Sequence, residues 1–282
     1  MTRRFSFPTL PAPRPAPGTQ PGTIVVTGAA GGFGRAIAET FAAAGWHVGA
    51  FGIRTDKFAE WAPAYPTITT GQLDVTDADQ WQTVLADFAA AHDGSIDVLV
   101  NNAGVLYAGD FITQGSYEAD SRTVDVNLTG VLFGCRAAFP YLAAADGAHL
   151  INVCSAAAFY GTPDMAVYSA TKYAVRGITE ALEVEWAGHG IQVSDVMPLY
   201  SNTALIENHR TVGMKRLGTT TTPQDVADEI FAVVARGRRT PAKVHHPVGA
   251  KAALLFGSTH FSPGFLTRYI NGLLTYQGKV RF

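Results

Sequence analysis

The chain has 282 residues, 47% of them hydrophobic and 16% charged, with a formal net charge of −2. That length suits one large domain or two small ones, with enough apolar residues for a sizeable core. The near-neutral charge argues against a nucleic-acid protein, which normally carries a basic face.

Residues 1–22 include Pro8, Pro11, Pro13, Pro15, Pro17 and Pro21 and read as an extended surface arm. From residue 23 the pattern becomes regular. A short apolar strand at Thr23–Val26 ends at glycines, and Phe33–Ala44 reads as a helix. Further strands are expected at Trp46–Phe51, Thr67–Leu73 and Ile96–Val100, with a helix at Asp77–His92 capped by Thr76 or Asp77. A long helical stretch covers Tyr117–Ala145, followed by a strand at Leu150–Val153, a helix at Met165–Ala187 and a strand at Ile191–Val196. Pro223–Arg236 reads as a helix with Thr222 as its cap and Pro223 at its first position, before a final strand near Lys243–His246. This alternation predicts an α/β, doubly wound, Rossmann-like parallel sheet of about seven strands with helices on both faces. No linker divides residues 23–246. The segment 247–282 changes character: it is apolar and aromatic, with short helices at Ala250–Phe256 and Phe265–Leu274. Packing on the core, packing on a second subunit and contact with a membrane surface are all open readings of it.

The two cysteines, Cys135 and Cys154, cannot build a disulfide framework and have no partners at metal-ligand spacing, so no metal is expected. No apolar run reaches the ~18–20 residues of a membrane span. Arg3 and Arg4 lack the apolar stretch of a secretory signal behind them. A cytoplasmic protein is therefore expected.

The residues that carry chemistry begin with Tyr168 and Lys172. Four residues is about one helical turn, so both side chains leave one helix face. An ammonium beside a phenol favours the phenolate, which predicts that Lys172 brings proton exchange at Tyr168 nearer neutral pH. Near the start, Thr27-Gly28-Ala29-Ala30-Gly31-Gly32-Phe33-Gly34 joins a strand to a helix. Glycines there let backbone approach a pyrophosphate, and the helix start offers free N–H groups.

The spacing Thr27-Gly28-x-x-x-Gly32-x-Gly34 resembles the turn of the short-chain dehydrogenase/reductases. Other stations of that family follow in order: Asp74 after the third strand, Asn101-Asn102-Ala103-Gly104 after the fourth, Asn127 in the long helix, and Ser155 before Tyr168 and Lys172. The resemblance covers about residues 23–245. It implies that Tyr168 is the general acid/base and that Lys172 lowers its pKa and binds the nicotinamide ribose. It further implies that Ser155 hydrogen-bonds the substrate oxygen and that Asn127 holds a water linking Lys172 to solvent. Thr27, Gly28, Gly32, Phe33, Gly34, Asp74, Val75, Asn101, Ala103, Gly104, Tyr168, Lys172, Pro198 and Thr203 are then the expected cofactor contacts.

The acid that accepts from an NAD ribose aligns with Gly52, while Arg54 and Arg35 could pair with a 2′-phosphate. NADP(H) is the expected cofactor, with NAD(H) as the alternative. The run Pro198-Leu199-Tyr200 departs from the family, which usually has a glycine where Leu199 stands, so substrate placement beside the nicotinamide is expected to differ. A mobile lid is implied at Ala204–Thr222. Tyr160, Tyr200 and Leu205, with Phe159 and Met165 nearby in sequence, suggest an apolar substrate. The expected enzyme interconverts a secondary alcohol and a ketone or aldehyde, as a homodimer or homotetramer. A nucleotide-binding redox sensor with little turnover and a sugar-nucleotide epimerase are the competing classes.

Overall fold

The computed structural model describes residues 21–201, 211–237 and 243–276. The central strands are dictated by apolar, largely β-branched runs that can be buried on both faces. In β1 (Thr23–Thr27) every residue is buried. Ile24 and Val26 point to one side of the sheet and Val25 to the other, as the two-residue repeat of a strand requires. Six more strands join it: β2 (His47–Gly52), β3 (Ile68–Gln72), β4 (Val98–Asn101), β5 (His149–Val153), β6 (Gln192–Pro198) and β7 (His245–Val248). All pair in parallel, in the order β3-β2-β1-β4-β5-β6-β7. The order reverses between β1 and β4, which opens a crevice beyond the carboxyl ends of these two strands.

Helices cover both faces. Against Ile24 and Val26 pack α1 (Gly32–Ala43) and α7 (Pro223–Arg236), through Ile37, Phe41, Ile230 and Val234. The other face receives α2 (Ala78–Ala90), α4 (Gly130–Ala144) and α5 (Ala166–Trp186), through Trp81, Leu85, Leu142 and Val175. Thr222 and Asp225 form a reciprocal cap at the start of α7.

The helix expected over Tyr117–Ala145 is not uniform. It divides into α3 (Tyr117–Val124), a π-helical turn at Asp125–Thr129, and α4. Such a turn inserts a residue without ending the helix, and the phase shift it causes is hidden by the continuous apolar run Val131-Leu132-Phe133 that follows.

After β7 the chain forms α8 (Ala250–Phe261) and α9 (Gly264–Thr275), with a short helix α6 (Val212–Leu217) beside them. α8 buries Ala252 and sets Phe256 against Phe159, ring centroids 5.1 Å apart. All but the last two residues of the arm expected at 1–22, and residues 204–210 of the expected lid, lie outside the described residues.

Candidate active site

The glycine turn is tied to the β4 loop by one threonine. Thr27 Oγ1 accepts from the backbone N–H groups of Asn102 and Ala103, both at 3.0 Å, while Asn102 Nδ2 donates to the Thr27 carbonyl at 2.7 Å. Gly28 (φ 64°) and Gly32 (φ 56°) occupy left-handed backbone that disfavours a side chain. A Cβ on Gly34 would lie 2.5 Å from the Gly28 carbonyl oxygen, so α1 can approach the turn only without one. No side chain caps α1, and its first turn contains no acid. Its free N–H groups and positive dipole end therefore face the cleft uncompensated, a setting that suits a pyrophosphate.

The opposite wall is α5. Lys172, Val175 and Thr179 are buried along one face, and Tyr168 continues that face one turn earlier, partly buried on the cleft. The rotation of the helix is held by a chain of polar groups. Asn101 Nδ2 donates to Asn152 Oδ1 (3.0 Å), Asn152 Nδ2 to Thr179 Oγ1 (2.9 Å), and Thr179 Oγ1 to the Val175 carbonyl (2.8 Å). Lys172 Nζ donates to the Val153 carbonyl at 2.8 Å and lies 5.6 Å from the centroid of the Tyr168 ring. Ser155 follows β5, where its Oγ accepts from Ala157 N at 3.1 Å and caps a short 3₁₀ turn.

Proton affinities correct one expectation. Burial pushes the Tyr168 phenol up to about 12, against a smaller opposing pull from its hydrogen bond with Ser155. Burial also lowers the Lys172 ammonium. The neighbouring lysine was expected to lower the phenol. Burial dominates the phenol instead, while the ammonium donates to the Val153 carbonyl.

Asn127 stands in the π-helical turn, fully buried. Its Oδ1 accepts from Val105 N (2.8 Å), and its Nδ2 donates to the Val105 carbonyl (2.8 Å) and to Thr171 Oγ1 (3.5 Å). Both ends of the amide are thus engaged in clamping the loop after β4, which leaves the side chain little capacity to hold the water expected of it.

A profile of the short chain dehydrogenases matches residues 22–212. The chain belongs to this family. An uncharacterised oxidoreductase of Staphylococcus saprophyticus is 34% identical over 209 residues, which span 72% of this chain and 87% of that protein. One from Staphylococcus aureus is 33% identical, over 73% of this chain and 88% of its own. Among solved structures, a short-chain dehydrogenase from Streptomyces avermitilis superposes with a TM-score of 0.72 at 28% identity, covering 90% of this chain and 95% of that one. A short-chain dehydrogenase from Burkholderia cenocepacia, solved with NADP, gives a TM-score of 0.74 at 23% identity, covering 90% and 96%. The chain is accordingly an NAD(P)-dependent oxidoreductase acting on CH–OH donors.

In this short-chain dehydrogenase the two walls enclose a cleft of about 390 Å³. Of the residues named from sequence, Gly28, Gly32, Phe33, Arg54, Asp74, Val75, Ala103, Gly104, Ser155, Tyr160, Tyr168, Lys172, Pro198 and Tyr200 line it. Thr27, Gly34, Asn101 and Asn127 do not; they hold the walls in place from behind. Thr203 and Leu205 lie outside the described residues. Arg35 is also absent from the lining. Its guanidinium pairs with Glu39 at 3.0 Å and lies over the Trp61 ring. Asp74 Oδ1 accepts from Thr76 N and Oγ1 at 3.0 and 2.8 Å.

Several lining residues escaped the sequence reading. Asn102, whose own backbone and amide knit the two loops together, was passed over in favour of Asn101. Arg122 comes from α3 to lie 4.0 Å from Asp74. Only the fold brings those two side chains together. Leu106 escaped too; it lines the apolar end with Met214, which belongs to the expected lid, beside Tyr160, Met165, Leu199 and Tyr200.

Proposed function

We propose that this enzyme interconverts a secondary alcohol and a ketone or aldehyde on an apolar substrate, with NADP(H) as its preferred nucleotide. One observation carries the reaction: Ser155, Tyr168 and Lys172 line the same cleft as the glycine turn and the uncapped start of α1. When bound, the nicotinamide nucleotide supplies or accepts the hydride. In the reducing direction the Tyr168 hydroxyl donates its proton to the substrate oxygen, and Ser155 Oγ donates a hydrogen bond to the same oxygen as its charge develops. Lys172, drawn against the Val153 carbonyl, supplies the cation beneath the reacting groups and a donor for the ribose hydroxyls. Asn127 is a positioning residue that fixes the Val105 backbone at the cleft wall.

The nucleotide preference rests on two residues. Gly52 lines the cleft where an acid would accept from a ribose 2′-OH and repel a 2′-phosphate. Arg54 lines it as well, with Nη2 3.9 Å from where a side chain on Gly31 would begin. It is thus beside the turn that receives the phosphates, and its planar fork suits a phosphate dianion. Leu106, Met165, Leu199 and Met214 favour an apolar substrate, and Leu199 narrows the cleft where a glycine would leave it open.

The reading includes a homodimer or homotetramer formed through α4 and α5, which expose Leu132, Tyr173 and Val184. It also includes a cytoplasmic location, in keeping with the free thiols of Cys135 and Cys154. Exchange of Tyr168→Phe tests the assignment. Turnover of a ketone panel with NADPH should fall by at least about a hundredfold while NADPH still binds. Turnover at the parent rate would overturn the role of Tyr168.

A further inference from the structure

α9 is folded inside out. In an ordinary surface helix the apolar stripe faces the core. Here the residues turned inward are Asn271, Gly272 and Thr275, all buried. Asn271 Nδ2 donates to the Gly161 carbonyl at 2.7 Å, and Thr275 Oγ1 bonds back to the Asn271 carbonyl and Oδ1 at 2.7 and 2.9 Å. The apolar residues are left outside. Phe265 is 64% exposed, Leu273 51% and Ile270 41%, and Phe261 at the end of α8 is 91% exposed. Leu254 on α8 and Tyr276 after α9 are exposed as well. Such a concentration of large exposed side chains marks a contact surface rather than scatter.

Charge says what covers it. The whole chain is formally −2, yet no Asp or Glu follows Glu229. Lys251 on α8 and Arg268 on α9 are exposed, and α6 contributes exposed Lys215 and Arg216. Exposed apolar side chains among cations, on helices whose own sequence carries no carboxylate, are the pattern of a helix lying in the interface of an anionic bilayer. Pairing this face with its own copy would set cation against cation. No helix among the described residues is long and apolar enough to cross a membrane, so the contact is one that lies on the surface.

We propose that α9 and the end of α8 dock this protein on an anionic lipid surface. The docked face adjoins the cleft. Arg216, on α6, donates from Nη1 to the carbonyls of Leu273 and Tyr276, and Lys251 Nζ donates to the Leu217 carbonyl at 3.2 Å. The same α6 carries Met214 into the apolar end of the cleft. A bilayer held at the outer face of α9 therefore lies about one helix width, roughly 10 Å, from that end, and an apolar ketone leaving the bilayer has only that distance to travel to the cleft. This second step rests on the function proposed above; the docking itself does not.

The test uses the full chain with two sets of vesicles, phosphatidylcholine alone and phosphatidylcholine with phosphatidylglycerol, in co-sedimentation at low and high salt. The expected result is binding to the anionic vesicles, weakened by salt and by at least about tenfold in the double variant Phe261→Asp/Phe265→Asp. Both side chains are exposed, and circular dichroism and NADPH binding check that the variant stays folded. Absence of binding to anionic vesicles, or undiminished binding by the variant, overturns the proposal. So does a variant that changes only its oligomeric state in sedimentation velocity, since a second copy would then be the occupant. Vesicle binding is read without turnover, so failure of the dehydrogenase reading leaves it standing. Delivery is tested separately. The variant should turn over a water-soluble ketone at the parent rate but a bilayer-borne ketone several-fold more slowly, and equal rates on both overturn delivery.

Discussion

Asn127 offers the sharpest test of how the cleft is held. Its amide makes two hydrogen bonds to one residue, accepting from Val105 N–H and donating to Val105 C=O, each at 2.8 Å. Asn127→Ala removes both and leaves two backbone groups facing a small void. Each lost bond costs about 1 kcal/mol net, and each stranded partner about as much again when fully buried. Val105 is only half-buried, so water recovers part of the second cost. The expected destabilisation is roughly 2–3 kcal/mol, with ~5–10 °C off the melting temperature for a protein of this size. Differential scanning calorimetry and urea titration measure it. Asn127→Asp keeps the acceptor but sets a carboxylate oxygen against the Val105 carbonyl. Its folded-state pKa is then raised, so its stability deficit should shrink as pH falls and the protonated carboxyl becomes a donor. A melting temperature for Asn127→Ala within about 2 °C of the parent, with an unaltered pH response in Asn127→Asp, would refute the clamp.

Three further outcomes follow from the geometry. With the Tyr168 phenol pushed up to about 12, carbonyl reduction draws on a form that is fully protonated at neutral pH. Its kcat/KM should stay flat from roughly pH 6 to 10 while alcohol oxidation climbs with pH, and a reduction limb falling near pH 7–8 contradicts this. Arg54→Ala should raise KM for NADPH by about tenfold or more and barely change KM for NADH, measured in parallel steady-state assays. His149, buried against Ser194 Oγ at 2.8 Å, has its pKa pushed down to about 3, first by burial and then by His246. Unfolded, it takes up its proton near pH ~6.5, so below that pH the unfolded chain binds more protons than the folded one. Its contribution is present above that value and is lost as pH falls towards about 3, at up to about 1.4 kcal/mol per pH unit. His149→Gln should flatten that acid limb in urea titrations at stepped pH.

The sheet was legible because parallel strands buried on both faces must be apolar throughout, and Ile24-Val25-Val26 or Leu150-Ile151 can hardly be anything else. α7 begins and ends where the sequence announces it, since Thr222 and Pro223 suit a helix start and nothing else nearby does. The glycine turn and the Tyr168–Lys172 pair were readable for the same reason: local spacing carries them. What escaped depends on long-range contacts. The phase shift of the π-helical turn is hidden by the continuous apolar run Val131-Leu132-Phe133 that follows it. Arg122 reaches Asp74 only through packing of α3, and Arg35 is drawn off to Glu39 and Trp61. The shift at Tyr168 is set by desolvation, which no spacing reveals. The stripe of α9 looks like a buried face in sequence, and its reversal is decided by one amide reaching the carbonyl of Gly161.

A smooth apolar interface tolerates small rolls of a helix about its long axis, because greasy contacts are nearly indifferent to azimuth. The bonds running from Asn101 through Asn152 to Thr179 are directional and accept only one setting of α5. They work as a key cut for a single angle, and the pair two turns upstream inherits that angle. Replacing all three by hydrocarbon of matching volume could leave the melting point intact, or even raise it. Such a protein would still assemble, yet its phenol would wander off aim, and the loss would register in turnover rather than in thermal resistance.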